Sequence, residues 1–240
     1  MIRALTSFLS VCLFFCCSKK TAVVPAYTPP RDTVSFSSTD TAKSFLALGD
    51  SYTIGQSVAA TERFPAQIVA LLKSLRIKVS DPVYIAQTGW TTSNLQAAIT
   101  LQNPLPTYDV VTLLIGVNDQ YQHLDTGGYA QRFTQLLARA IELAQGRKER
   151  VFVLSIPDYS VTPFVSATDK PRVRMEIEQF NAINKRITIA YGVSYTDITP
   201  STRQAGTNAA LLANDNLHPS GLEYKKWAEM LLPKIKAVLQ

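Results

Sequence analysis

Apolar residues along this chain fall in two spacings. Short, nearly unbroken runs occupy 45–48, 83–86, 110–115 and 151–156, with a shorter one at 193–196. Between them, apolar residues recur every three or four positions. Phe64, Ile68, Leu71, Leu72 and Leu75 share such a stripe, as do Phe133, Leu136, Leu137, Ala140 and Ile141. Ile177, Phe180, Ile183 and Ile187 form a third. The first spacing predicts strands and the second predicts helices at 64–75, 129–144 and 172–190, with a last one at 222–232. Gly146 is placed to cap the second of these, and Pro233 to break or kink the last. Runs that are apolar throughout, rather than alternating, belong to strands buried on both faces. Strands alternating with helices predict an α/β chain: a three-layer α/β/α sandwich around a mostly parallel sheet of roughly five strands. In such sheets, ligands bind outside the carboxyl ends of the strands. Gly49–Ser51, Gly89, 116–119 and 157–158 each follow a predicted strand, so they should converge on one edge.

The periodic region begins only near residue 44. Before it, Arg3 is followed by a mostly apolar stretch, 4–15, and then by Cys16 and Cys17. That stretch is too short for a membrane span, which needs about 20 apolar residues. It reads as the apolar core of a signal peptide. Its end resembles a bacterial lipoprotein signal, in which a cysteine becomes the lipidated N-terminus after cleavage. Cys17 is the expected acceptor because it puts the small Cys16 before the cut; Cys16 is the alternative, with the bulky Phe15 before it. Residues 18–43, rich in Ser, Thr and Pro, read as a flexible tether with a reach of roughly 28 Å. The expected organisation is therefore 1–17 signal, 18–43 tether and 44–240 a single folded domain. The expected location is exported, at the cell envelope, on a lipid anchor.

Composition narrows the chemistry. The 240-residue chain is 46% hydrophobic and 18% charged, with a net charge of +6. Its basic residues are scattered and no aromatics interleave with them, which argues against nucleic acid as a partner. All three cysteines lie in the first seventeen residues, and there are two histidines. The domain thus has no disulfide or thiolate site, and no H-E-x-x-H. Neither a metal nor a cofactor is expected.

Two stretches carry chemistry: Gly49-Asp50-Ser51 after the first strand, and Asp215-Asn216-Leu217-His218-Pro219 near the C-terminus. A serine nucleophile needs a base for its proton, and the base needs a partner to fix its tautomer. Two further blocks lie between them, Ala86-Gln87-Thr88-Gly89 and Gly116-Val117-Asn118-Asp119. In this order the four blocks resemble the SGNH (GDSL) hydrolase family, whose sandwich is flavodoxin-like. The resemblance spans 45–227. It implies a serine ester hydrolase working through an acyl-enzyme, with Ser51 as nucleophile, His218 as general base and acid, and Asp215 as its orienting carboxylate. It also implies an oxyanion hole made by the Ser51 and Gly89 backbone N–H groups and the Asn118 amide. Tyr52 stands where the family name has Leu, and Gln87 where Asn is common.

Other residues have plainer readings. Ser51 could be a helix N-cap. Asp50 and Asp119 are expected to be structural, and His123 a surface histidine or, as the alternative, part of the pocket mouth. Tyr52, Trp90 and Tyr121, with Tyr159 and Phe164, are the candidate substrate-binding residues. The expected substrate is a short-chain or sugar O-acyl ester. The alternatives are a lysophospholipid or other lipid ester, acyl transfer in place of hydrolysis, and a non-catalytic glycan-binding lipoprotein. An α/β-hydrolase would need G-x-S-x-G, but Thr53 occupies the position of the second glycine. Oligomeric state is left open.

Overall fold

The structure, a computed structural model, describes residues 41–240. The expected signal segment and nearly all of the expected tether lie outside the described residues. Lys43, assigned to the tether's last position, is already held by the fold. Its N–H donates to Lys78 O at 2.8 Å, and its carbonyl accepts from Ser80 at 2.9 Å.

Five strands form one sheet: β1 (Phe45–Gly49), β2 (Val83–Ala86), β3 (Val110–Leu114), β4 (Val151–Leu154) and β5 (Ser194–Thr196). Their order is β2-β1-β3-β4-β5 and every pairing is parallel. Leu48 pairs with Ile85 on one side and with Leu113 on the other. Every residue of β1, β3 and β4 is buried, which is why these strands read as unbroken apolar runs. The edge strands β2 and β5 carry Tyr, Ser and Thr and are only partly covered.

Among the described residues eight α-helices flank the sheet: α1 (Ser51–Ile54), α2 (Phe64–Ser74), α3 (Thr92–Gln102), α4 (Val117–Tyr121), α5 (Thr126–Leu143), α6 (Lys170–Ala190), α7 (Thr199–Thr202) and α8 (Gly221–Leu239). α2 packs on α8 over one face, and α3, α5 and α6 cover the other. Phe64, Tyr224 and Trp227 join α2 to α8, with ring centroids 4.9–6.4 Å apart. This is the expected three-layer α/β/α sandwich.

Three elements differ from the sequence expectation. α3 carries no strong apolar stripe, and in it only Thr92, Leu95 and Ile99 are buried; a Thr91–Asn94 capping box starts it. α5 starts three residues early because Asp125 caps it, accepting from Gly128 N at 2.6 Å. Its C-terminal side behaves as expected, with Gly146 in the left-handed region and donating to Ile141 O at 2.8 Å. α8 runs through Pro233 to Leu239. Loss of one backbone donor is offset there by packing, since Ile235 beyond the proline is fully buried. Among the described residues no helix is long and apolar enough to cross a membrane.

β1 lies between β2 and β3, so the connections leaving β1 and β2 run in opposite directions. That reversal opens a crevice at the carboxyl end of β1. The loops after β1, β2, β3 and β4 all reach it.

Candidate active site

Ser51 is the first residue of α1, on a turn directly after β1. The cap of α1 is Asp50, whose Oδ1 accepts from Tyr52 N at 3.0 Å. Ser51 therefore has no capping duty, and its hydroxyl is free for the crevice. Burial pushes the Asp50 carboxyl up to about 8, against the pull of the Tyr52 N–H, and nearby Asp119 adds to the rise. Burial thus favours the neutral form of Asp50.

The base comes from the other end of the chain. His218 Nε2 lies 3.0 Å from Ser51 Oγ, and its Nδ1 lies 2.7 Å from Asp215 Oδ2. A tight turn makes this possible: Asn216 adopts φ 58°, and Ala213 N–H donates to His218 O at 2.8 Å. Asp215 Oδ1 accepts from the Leu217 and His218 N–H groups at 3.0 and 2.9 Å. Ser57 donates its hydroxyl to Asp215 Oδ2 at 2.6 Å. Partial burial pushes the Asp215 carboxyl up. The Ser57 hydroxyl, the His218 ring and the two backbone N–H groups outweigh it and hold the carboxyl at about 2. A permanent anion thus faces the imidazole, fixing its tautomer and favouring the imidazolium formed during proton transfer.

Gly89 and Asn118 line the same cavity as Ser51 and His218. Gly89 has φ 82°, a conformation few other residues accept, and a Cβ there would project into open space. Asn118 Nδ2 donates to Trp90 O at 2.9 Å, which fixes the amide and leaves its other N–H for the crevice. Gly116, with φ 126°, permits the turn from β3 into α4, and a Cβ there would strike Tyr129 at 2.7 Å. A buried network locks the two loops together. Asp119 accepts from Thr92 N and Oγ1 at 2.8 and 2.5 Å and from Arg132 Nη2 at 3.2 Å. Asp119 is thus structural, and it sets the spacing between the Gly89 loop and Asn118.

The cavity over Ser51 is about 170 Å³, with walls from Tyr52, Val117, Tyr121, Tyr159, Phe164 and Leu217. Tyr52 is nearly fully buried, its ring 5.0 Å from that of His218, so it forms floor as well as wall. Tyr121 and Phe164 stand half exposed at the rim. Tyr159 is fixed by its hydroxyl, which donates to Gln120 at 2.8 Å. Trp90 does not line the cavity: its side chain packs against the core, and its carbonyl orients Asn118. Gln87 is exposed, and its carbonyl closes the turn to Trp90 N at 3.2 Å. His123 is exposed on the loop after α4, outside this cavity but in the wall of the adjoining one that shares Tyr121, Tyr159 and Phe164. Ser57, Thr92 and Arg132 carry no sequence signal, because each acts only through a contact distant in the chain. Among the described residues no group of three or more His, Cys, Asp or Glu side chains could hold a metal ion.

A serine hydroxyl, an imidazole and a carboxylate in hydrogen-bonding sequence, with Gly89 and Asn118 lining the same cavity, make an arrangement suited to acyl transfer. The model of the GDSL-like lipase/acylhydrolase family matches residues 47–226, three quarters of the chain.

The chain belongs to this family.

It is an SGNH-type carboxylic ester hydrolase. Solved structures share the fold. A lipase/acylhydrolase from Enterococcus faecalis matches with TM-score 0.62 and 14% identity, over 81% of this chain and 96% of that one. An acetylxylan esterase from Geobacillus stearothermophilus matches with TM-score 0.61 and 21% identity, over 80% and 94%. TesA matches with TM-score 0.61 and 18% identity, over 82% and 99%. Comparison with curated proteins finds no significant match.

The oxyanion role that the sequence resemblance implies for Asn118 carries a direct expectation. Asn118→Ala should lower kcat by about 10²–10³ while the thermal midpoint stays close to wild type. A loss under roughly threefold in a folded protein would reduce Asn118 to a turn residue.

Proposed function

We propose that this enzyme cleaves short-chain or sugar O-acyl esters through an acyl-enzyme on Ser51. Ser51 Oγ attacks the ester carbonyl carbon as its proton passes to His218 Nε2. The oxyanion is held by the Ser51 and Gly89 N–H groups and the Asn118 amide. Collapse breaks the bond to the alkoxy oxygen, which leaves with the His218 proton as the alcohol. Water then attacks the acyl-enzyme by the same route, releasing the acid and restoring Ser51. The observation that carries this reading is the Ser51–His218–Asp215 relay on the floor of a small cavity. At about 170 Å³ it falls below the roughly 300–1,000 Å³ of drug-sized ligand pockets, which favours a short acyl group over a long chain. The acetylxylan esterase that shares the fold points the same way.

The test is a chain-length series of 4-nitrophenyl esters, run beside acetylated glycans and a lysophospholipid. Acetyl and propionyl esters should have the highest kcat/KM, and acetylated glycans should exceed lysophospholipid. A maximum at eight carbons or more would replace this reading with a lipid esterase. Accumulation of transfer product with an added alcohol would indicate acyl transfer.

We also infer export and a lipid anchor on Cys17, with Cys16 as the alternative. The apolar run ending in the cysteine pair motivates this. Charge on the domain fits it. Chain direction puts Lys43, Arg76, Lys148, Lys185, Arg186 and Lys236 toward the end of the sheet where the strands begin, away from the active site. Among the described residues none of these six makes an ion pair, whereas Asp81, Asp109 and Glu142 at that end are taken up by Lys73, Arg147 and Arg139. Each cation near an anionic bilayer contributes about 1 kcal/mol of attraction. Replacing both cysteines with serine should release the protein from membranes and remove lipid from its N-terminal peptide. Unchanged attachment would contradict the anchor.

A further inference from the structure

Two large aromatic side chains beside the catalytic cavity are left in water. Tyr121 is 54% exposed and Phe164 is 50% exposed. Their rings are 6.2 Å apart, and Tyr159 lies behind both at 6.4–6.5 Å. Together they form a ridge. On one side is the cavity over Ser51, and on the other is a second cavity of about 250 Å³.

The far cavity differs in chemistry. It shares the three aromatic rings but is otherwise largely polar, with Gln120, His123, Ser166, Asp169 and Arg172 in its wall. The last three are held in place by one another. Arg172 reaches Asp169 at 3.1 Å and Glu176 at 3.2 Å, and Ser166 donates to Asp169 at 2.7 Å. Each keeps hydrogen-bonding capacity to spare, since a carboxylate has about four acceptor sites and a guanidinium five donors. The one guanidinium is already shared by two carboxylates, Asp169 and Glu176, so the cavity offers no unpaired arginine or lysine to a phosphate. An acyl chain would have to desolvate these charged groups without replacing their hydrogen bonds, which costs free energy. A neutral, hydroxyl-rich ring with an apolar face suits both features.

We propose that this outer cavity is a sugar subsite. An acylated neutral oligosaccharide would place its ester over Ser51, cross the Tyr121–Phe164 ridge, and set its next ring against the ridge. That ring would hydrogen-bond to Ser166, Asp169 and Arg172. The enzyme would then be an oligosaccharide deacylase rather than a general esterase. This inference rests on the reading of the inner site as a short-acyl esterase.

Two measurements separate the two claims. In the first, kcat/KM is compared for O-acetylated xylotriose, O-acetylated xylose and 4-nitrophenyl acetate, with lysophosphatidylcholine alongside. The trisaccharide should exceed the monosaccharide by about tenfold, the scale of one good contact of about 1.4 kcal/mol. In Asp169→Ala, and separately in Phe164→Ala, the ratio of trisaccharide to 4-nitrophenyl acetate should fall by about that factor, and Asp169→Asn should restore part of it. In the second, Ser51→Ala is titrated with unacetylated xylotriose. Saturable binding that weakens at least fivefold when Phe164→Ala is added supports the subsite independently of turnover. Equal kcat/KM for monosaccharide and trisaccharide, with 4-nitrophenyl acetate cleaved normally, would overturn the subsite and leave the esterase intact. Preference for lysophosphatidylcholine would overturn it in favour of a headgroup pocket. Absence of turnover on every ester would overturn the inner-site reading and the deacylase claim with it.

Discussion

Ser51→Ala is expected to fold normally and to lose turnover by a factor on the order of 10⁶, the scale seen when the nucleophile of a serine hydrolase is removed. Folding should survive because the α1 cap is supplied by Asp50, and the substitution removes only the Ser51 hydroxyl that meets His218. Turnover should not survive, because no other hydroxyl shares hydrogen-bonding distance with His218 Nε2 among the described residues. The same substitution tests covalent chemistry. A fluorophosphonate should modify one peptide of the wild type, the one containing Ser51, and none of the variant. Modification at a second serine, or a variant that keeps most of its rate, would remove Ser51 from the mechanism.

The second large effect concerns the base and its pH dependence. His218→Ala should be nearly inactive at every pH, whereas His123→Ala, in an exposed loop, should keep the wild-type profile. Asp215→Asn should cost on the order of 10⁴ in kcat, because an amide no longer fixes the productive tautomer or stabilises the imidazolium. The sign of the pH effect follows from the geometry. Asp215 is held at about 2, below its ordinary 3.8. The folded state gives up that proton more readily than the unfolded chain. Its stabilising contribution is therefore complete above about pH 4 and is lost as pH falls through about 2. Asp215 stays charged throughout the range in which the enzyme works. A decline of kcat/KM on acidification within that range therefore has a source other than Asp215. A one-proton acid limb, absent from no active variant, is expected. An acid limb that shifts in His123→Ala but not in Asp215→Asn would assign the base to the loop after α4.

Smaller groups refine the site without making it. Ser57 reaches Asp215 from a segment 158 residues earlier in the chain, and Arg132 ties Thr92 to Asp119. Neither is legible in the sequence, because a hydroxyl or guanidinium looks the same whether its partner is a carboxylate or water. Trp90 shows the converse. A tryptophan in a loop after a strand suggests a substrate wall, yet its ring packs inward and its carbonyl holds Asn118. Which way a loop side chain turns depends on what packs against it, and neighbouring residues in the chain do not specify that. α3 was missed for a related reason: its apolar stripe is thin, and its stability comes from its cap and from contact with α5.

The sequence by itself determined the layers of the sandwich, the strands and long helices, and the four blocks that hold the chemistry. Those features are local. A buried parallel strand must be apolar throughout, a helix against a sheet must be striped, and a sharp turn after a strand needs Gly or Asp at fixed places. Tertiary structure decided the rest. It brought Ser51 within 3.0 Å of a histidine 167 residues away and gave capping to Asp50, freeing the nucleophile. It also shaped a cavity of about 170 Å³ and left Tyr121 and Phe164 standing in water beside it. Each of these depends on which loops the strand order gathers at the carboxyl end of β1, and strand order is a property of the packed sheet rather than of any stretch of the chain.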